Sequence, residues 1–235
     1  MMERTYCADI HELAHSFADY AAAVLSKTLT RQETASLVVP GGNTPRFYLP
    51  TLAAKSLPWN RITITLSDER WVDTDSENSN EHLVRNHLLV HLPDHVGDQT
   101  RFIGLKTGHD TPAEAIPEIQ HRLKQIPQPF TLTVLGLGED GHIASLFPGL
   151  KLHEETDEKF GNLCLAVIPP IAPSPRVSVS LQVLADSEHL ALVVTGKNKR
   201  QLLNQLTNCF DANIPLAWLL RRSRSPITVF ETDIA

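Results

Sequence analysis

Ile10, Leu13, Ala14, Phe17, Ala21 and Leu25 recur at helical spacing behind Asp9-Ile-His-Glu12, which has the form of a capping box. The pattern predicts an amphipathic helix over 9–29. The period then changes. Ala35 to Val39 is a short apolar run ending at Pro40-Gly-Gly-Asn-Thr-Pro45, and Ile62-Thr-Ile-Thr-Leu66 alternates apolar with β-branched residues, so both read as strands. Leu83, Val84, Leu88 and Leu89 predict a helix over 79–90. Another begins at Thr111-Pro-Ala-Glu114, where a Thr cap, a first-turn Pro and a third-position Glu coincide. Further strands are expected at Thr131–Leu135, Leu163–Ile168, Arg176–Leu181, His189–Thr195 and Ile227–Phe230. A rigid proline turn fills 169–175, and a helix runs from about Gly196 to Asn208.

Strands alternating with helices imply βαβ units, hence an α/β fold with a largely parallel sheet. No repeat, low-complexity tract or linker interrupts the pattern, so residues 1–235 are expected to form a single domain. Segment 151–162, rich in Glu and Asp, reads as a charged surface loop. Ligands of open α/β sheets bind outside the carboxyl ends of the strands. The polar loops after strands are therefore where chemistry belongs: 40–46, 67–71, 136–145 and 195–199.

Composition narrows the partners. With 42% hydrophobic and 20% charged residues the chain is an ordinary globular one, and 21 Lys+Arg against 27 Asp+Glu leave a net charge of −6. That balance argues against nucleic-acid and membrane-surface partners. No apolar run approaches the roughly 20 residues of a membrane span, and the first apolar stretch is broken by His11, Glu12, His15 and Asp19. Cys7, Cys164 and Cys209 form no C-x-x-C pair, which disfavours disulfides and a cysteine zinc site. A cytoplasmic protein is expected.

Four loops carry candidate chemistry. Gly41-Gly-Asn-Thr-Pro45 follows a strand and opens a helix. Its glycines let backbone approach a ligand, the free amides favour an anion, and Thr44 and Arg46 add a hydroxyl and a charge. In Ser67-Asp-Glu-Arg70, Asp68 and Glu69 are candidate acid–base groups and Arg70 a candidate anion binder, unless the three form an internal salt bridge. Arg176, Lys197 and Lys199 are candidate phosphate clamps.

Gly136-Leu-Gly-Glu-Asp-Gly141 matches the dinucleotide pattern G-x-G-x-x-G. Asp140 would oppose a pyrophosphate, however, and Pro148 and Gly149 would interrupt the long helix that pattern needs. The informative feature is Asp140-Gly-His142, a carboxylate placed to fix an imidazole's tautomer and raise its base strength, so that it activates water. His11 and His15 lack a third metal ligand, and no Gly-x-Ser-x-Gly elbow is present.

Together, Pro40–Pro45, Asp68-Glu-Arg-Trp-Val72, Asp75–Glu81, Gly136–Gly149, Pro169-Pro170 with Arg176, and Thr195-Gly196 with Lys199 resemble the 6-phosphogluconolactonase family, in the family's order, from about residue 10 to 230. The resemblance implies a Rossmann-like, doubly wound sheet with helices on both faces, similar to glucosamine-6-phosphate deaminase. It also implies a cytosolic enzyme that hydrolyses a small-molecule sugar-phosphate lactone, 6-phospho-D-glucono-1,5-lactone, without metal or cofactor, while the sequence leaves monomer or small homo-oligomer open. In this reading His142 is the base, Asp140 holds it and Arg70 stabilises the oxyanion. Gly41, Gly42, Asn43, Thr44, Arg46, Asp68, Asn80, Arg176 and Lys199 bind substrate and phosphate, with Asn80 alternatively only tying its own loop. The chain departs from the family at Asn43, often Ser there, and at Arg46, often Lys.

Two rivals differ at named positions. Deaminases continue Phe-Asn-Glu-Pro where this chain has Ser145-Leu-Phe-Pro148, so Phe147 stands at their glutamate, and Arg70 stands where they tend to have Tyr. The similar sugar-phosphate-sensing domains of repressors should carry a basic helix-turn-helix, whereas residues 1–30 hold one mildly acidic helix.

Overall fold

The structure is a computed structural model that describes residues 2–93, 99–150, 162–169 and 174–234. In chain order the first half holds β1 (Met2–Tyr6), α1 (Ile10–Leu29), β2 (Ala35–Val39), α2 (Pro45–Ala53), β3 (Ile62–Leu66), β4 (Asp68–Arg70), α3 (Asn80–His87), β5 (Arg101–Ile103) and α4 (Pro112–Leu123). The second half adds β6 (Leu132–Gly136), β7 (Cys164–Val167), β8 (Arg176–Val179), α5 (Leu181–Ala185), β9 (His189–Thr195), α6 (Lys197–Asn208), α7 (Pro215–Arg222) and β10 (Ile227–Thr232).

Seven of the strands pair in parallel in the order β1-β10-β9-β6-β2-β3-β5, and helices flank the sheet in a doubly wound arrangement. Every residue of β2 and β3 is buried, as expected of central strands covered on both faces. Phe17 of α1 is fully buried, with ring centroids 4.4 Å from Tyr48 of α2 and 5.7 Å from Phe230 of β10. Burying such a ring contributes about 1.5–3 kcal/mol. None of the described helices is long and apolar enough to cross a membrane.

Local signals read from the sequence have physical counterparts. Asp9 caps α1, its carboxylate accepting from the amides of His11 and Glu12, while Glu12 reaches the Ala8 amide rather than that of the cap residue. Thr111 and Glu114 form a full capping box on α4.

Other expectations need correction. Residues 67–71 are not a loop, because β4 occupies 68–70 in a second, antiparallel sheet of order β4-β8-β7. The strand expected over 176–181 stops at Val179, because Ser180 caps α5 by accepting from the Val183 amide. The helix expected over 79–90 ends at His87 and passes into a 3-10 turn over 89–91. Of the segments read as charged loop and proline turn, 151–161 and 170–173 lie outside the described residues.

Candidate active site

Strand order creates the crevice. From β2 the chain winds outward through β3 to β5, and from the neighbouring β6 it winds the other way through β9 to β10. The loops after β2 and β6 therefore diverge at the carboxyl ends, where doubly wound sheets bind ligands. A cavity of about 390 Å³ opens there, bounded by the loops 40–45 and 136–144, by β4 and β8, and by Thr195 and Lys199. Another hollow, of about 440 Å³, lies at the opposite pole against Met2 and Ile227, the first residues of β1 and β10. A third, wide open and about 860 Å³, flanks Trp71. Neither brings together the loops singled out by chemistry.

His142 lines the cavity and is held from behind. Its ring Nδ1 lies 2.6 Å from Asp140 Oδ1, and that same oxygen accepts the His142 backbone N–H at 3.0 Å. A carboxylate at Nδ1 selects the tautomer with its proton there and leaves Nε2 as the basic nitrogen. The pair explains the glycines before it. A Cβ on Gly138 would lie 2.1 Å from His142 Nδ1 and 2.7 Å from Asp140 Oδ1. Gly141 has a φ of +87°, and a Cβ there would meet Ile214 Cγ2 at 2.4 Å. Gly138 thus makes room for the acid–imidazole pair, and Gly141 supplies the bend between its members.

Opposite stand two arginines. Antiparallel pairing of β4 with β8 sets Arg70 against Arg176 in register, on one face of the small sheet. Arg70 donates to the Asn78 carbonyl at 2.9 Å. Burial pulls the Arg176 guanidinium below its ordinary range, Asp68 pushes it back and Arg70 lowers it further. Its Nε is buried and has no hydrogen-bond partner among the described residues. Asp68 lies between the loops, its carboxylate accepting from Ser67 Oγ at 2.9 Å and Ser145 Oγ at 2.6 Å. Both cations and this anion line the cavity.

Glu69 faces the other way. Fully buried, it accepts from the amides of Arg70, Asn80 and Glu81 and from Ser79 Oγ, so it is an internal carboxyl that satisfies the donors at the start of α3. Burial pushes its carboxyl up to about 7, while the backbone amides pull it down. Asn80 donates from Nδ2 to the Asp68 carbonyl at 2.8 Å, and its Oδ1 packs where a Cβ on Gly41 would be only 2.0 Å away. Asn80 therefore ties β4 to the first glycine loop and also lines the cavity.

Most of the residues named from sequence converge, while Glu69, Lys197 and Arg46 stand outside the lining. Gly41, Gly42, Asn43, Thr44, Asp68, Arg70, Asn80, His142, Arg176 and Lys199 all line the cavity, and Asp140 backs His142. Gly42 takes a φ of +95°, and Thr44 Oγ1 lies 3.3 Å from Thr195 Oγ1 across the mouths of β2 and β9. Arg46 is the one expected substrate-binding residue that stays out. It is exposed on α2 outside the lining, where its charge adds to the burial that lowers the imidazole of His87. Lys199 lines the cavity and Lys197 does not. Sequence reasoning missed Ser67 and Ser145 as partners of Asp68, because Ser145 lies 77 positions away and nothing local marks the pair. Among the described residues no group of three His, Cys, Asp or Glu side chains is placed to hold a metal ion.

A Rossmann-like fold with an acid-held imidazole facing paired cations at its switch point defines a class, the α/β enzymes that act on small anions. The model of the glucosamine-6-phosphate isomerases/6-phosphogluconolactonase family matches residues 8–228, and the chain belongs to that family. It is 37% identical over 224 residues to a 6-phosphogluconolactonase of Pseudomonas aeruginosa, covering 93% of this chain and 90% of the relative. With one from Rhizobium meliloti the identity is 33% over 220 residues, 93% of each chain. A crystal structure of a 6-phosphogluconolactonase from Shewanella baltica superposes with a TM-score of 0.91 at 32% identity, covering 99% of this chain and 98% of the other. A monomeric glucosamine-6-phosphate deaminase shares the fold, with a TM-score of 0.75 at 17% identity.

Proposed function

We propose that the protein hydrolyses 6-phospho-D-glucono-1,5-lactone to 6-phosphogluconate. The observation that carries the reading is His142, held by Asp140, in the same cavity as Arg70, Arg176 and Lys199. The lactone's phosphate docks at Gly42, Asn43 and Thr44 with Arg176 and Lys199 as its counter-charges. Asp68, fixed by its two serines, accepts from sugar hydroxyls. His142 Nε2 takes a proton from water as the oxygen attacks C1, and Arg70 stabilises the negative charge that develops on the carbonyl oxygen. The imidazolium then returns its proton to the departing ring oxygen, which opens the ring as a hydroxyl.

The reaction is redox-neutral and the proton traffic closes on His142, so it requires neither a redox cofactor nor a metal. With that reaction goes a role in the oxidative branch of pentose phosphate metabolism, and we read the protein as a cytoplasmic, single-domain enzyme, monomeric or a small homo-oligomer, that binds no nucleic acid. The deaminase reading has no support at Phe147, where an apolar ring stands in place of the deaminase acid.

The test is lactone disappearance, with the lactone generated in situ from glucose 6-phosphate, against the spontaneous rate at mildly acidic pH. Strong acceleration without ammonia release from glucosamine 6-phosphate supports the assignment. A folded protein with no acceleration overturns it.

A further inference from the structure

We propose that Phe147 is a positioning residue that holds the His142 imidazole and the Arg176 guanidinium at a set separation, coupling the base to the anion-binding cation. The inference rests on the active-site reading above and adds a residue to it.

The local fold makes this arrangement. Ile143 and Leu146 form an isolated antiparallel bridge, closed by a hydrogen bond of 2.9 Å from the Leu146 amide to the Ile143 carbonyl. His142 and Phe147 are then the next residues outward on the two arms. Their side chains leave on the face opposite to those of Ile143 and Leu146, which are wholly buried. The two rings meet with centroids 4.8 Å apart and planes at 41°.

The same ring meets Arg176, whose guanidinium carbon lies 5.5 Å from its centroid. His142 belongs to the loop after β6 and Arg176 to the small sheet, so Phe147 is a side-chain contact between the two halves of the site. Among the described residues, Asp140 restrains the imidazole at Nδ1 and Arg176 Nε has no hydrogen-bond partner. Phe147 is 8% exposed, and a cation over a largely desolvated ring is held more strongly than one over an exposed ring.

Ser145 separates this role from simple support of the loop. Its amide donates to Ser178 Oγ at 3.2 Å and its hydroxyl to Asp68 at 2.6 Å, anchoring the loop backbone to the small sheet independently of the ring. Removing the ring therefore frees two side chains while the loop stays in place.

A kinetic cycle on the intact protein tests the coupling, using wild type, Phe147→Leu, Arg176→Ala and the double variant on the phosphorylated lactone. Phe147→Leu is expected to lower kcat/KM by about 10-fold alone and by less than about 3-fold in the Arg176→Ala background. Phe147→Tyr, which retains the ring face, should keep most of the native kcat/KM. Phe147→Met keeps apolar volume without a ring and supplies the same cycle from a second variant. Equal factors in both backgrounds, or loss with Tyr as large as with Leu, overturn the proposal. An inactive wild type would strike at the assigned function, whereas additive losses in an active enzyme strike at Phe147 alone.

Discussion

Arg70 and Arg176 stand directly opposite each other across the β4–β8 pair, two guanidinium groups in register on one face of a three-stranded sheet. Like charges so placed destabilise a sheet. An anion that enters between them relieves the repulsion. Arg176→Ala should accordingly raise KM for the phosphorylated lactone by about 10–150-fold, the worth of a charge-assisted bond, with a smaller effect on kcat. Steady-state kinetics check this, and an unchanged KM would remove Arg176 from the phosphate site.

His142→Ala should lower kcat by about 10²–10⁴-fold, the usual contribution of a general base, with KM nearly unchanged. Asp140→Asn should also lower kcat strongly, because an amide at Asp140 no longer selects the tautomer with its proton on Nδ1. Near-native turnover of His142→Ala would move the base to Asp68, a buried carboxylate that lines the cavity.

Gly138→Ala offers a test that leaves both catalytic side chains in the sequence. The added methyl group would occupy the space of His142 Nδ1 and Asp140 Oδ1. We expect kcat to fall at least about 10-fold, as for loss of an oriented base. A shift in the ring-proton resonances of His142 should accompany the loss. Full activity would show that the pair tolerates displacement.

Glu69 ties stability to pH. Its carboxyl, near 4.5 in an unconstrained chain, is raised to about 7 by burial. A raised folded-state value means the folded protein holds the proton more tightly than the unfolded chain. The resulting stabilisation is complete below about 4.5 and is lost as pH rises through about 7. Denaturant unfolding of wild type and of Glu69→Gln, which does not titrate, should therefore show a stability difference that moves against wild type by up to about 3 kcal/mol between those limits. A difference independent of pH would show that Glu69 stays ionised throughout.

Residues with strong local signals were legible without coordinates. α1 and α4 follow from apolar spacing and caps, and β2, β3, β6 and β9 from short apolar runs bounded by glycine or polar turns. β1 escaped because an edge strand with four exposed residues of five carries no apolar pattern. β4 escaped because its three residues are all charged, with Asp68 and Glu69 buried against polar partners, which periodicity cannot register.

The Asp140-Gly-His142 pair is likewise a local object. A single glycine separates its members, Gly138 and Gly141 permit the bend, and the sequence by itself determined that a carboxylate and an imidazole can meet. Residue types also marked the first glycine loop as an anion site and Lys199 as a candidate counter-charge. Tertiary structure decided the rest. Strand order put the β2 and β6 loops on either side of one crevice, antiparallel pairing set Arg70 against Arg176, and the first turn of α2 turned Arg46 away from the cavity. Contacts such as Ser145 with Asp68 and Phe147 with Arg176 join segments that the chain keeps far apart. Local sequence encodes backbone preference and side-chain chemistry. Which distant side chains share a cavity depends on sheet topology and burial, which only the folded chain establishes.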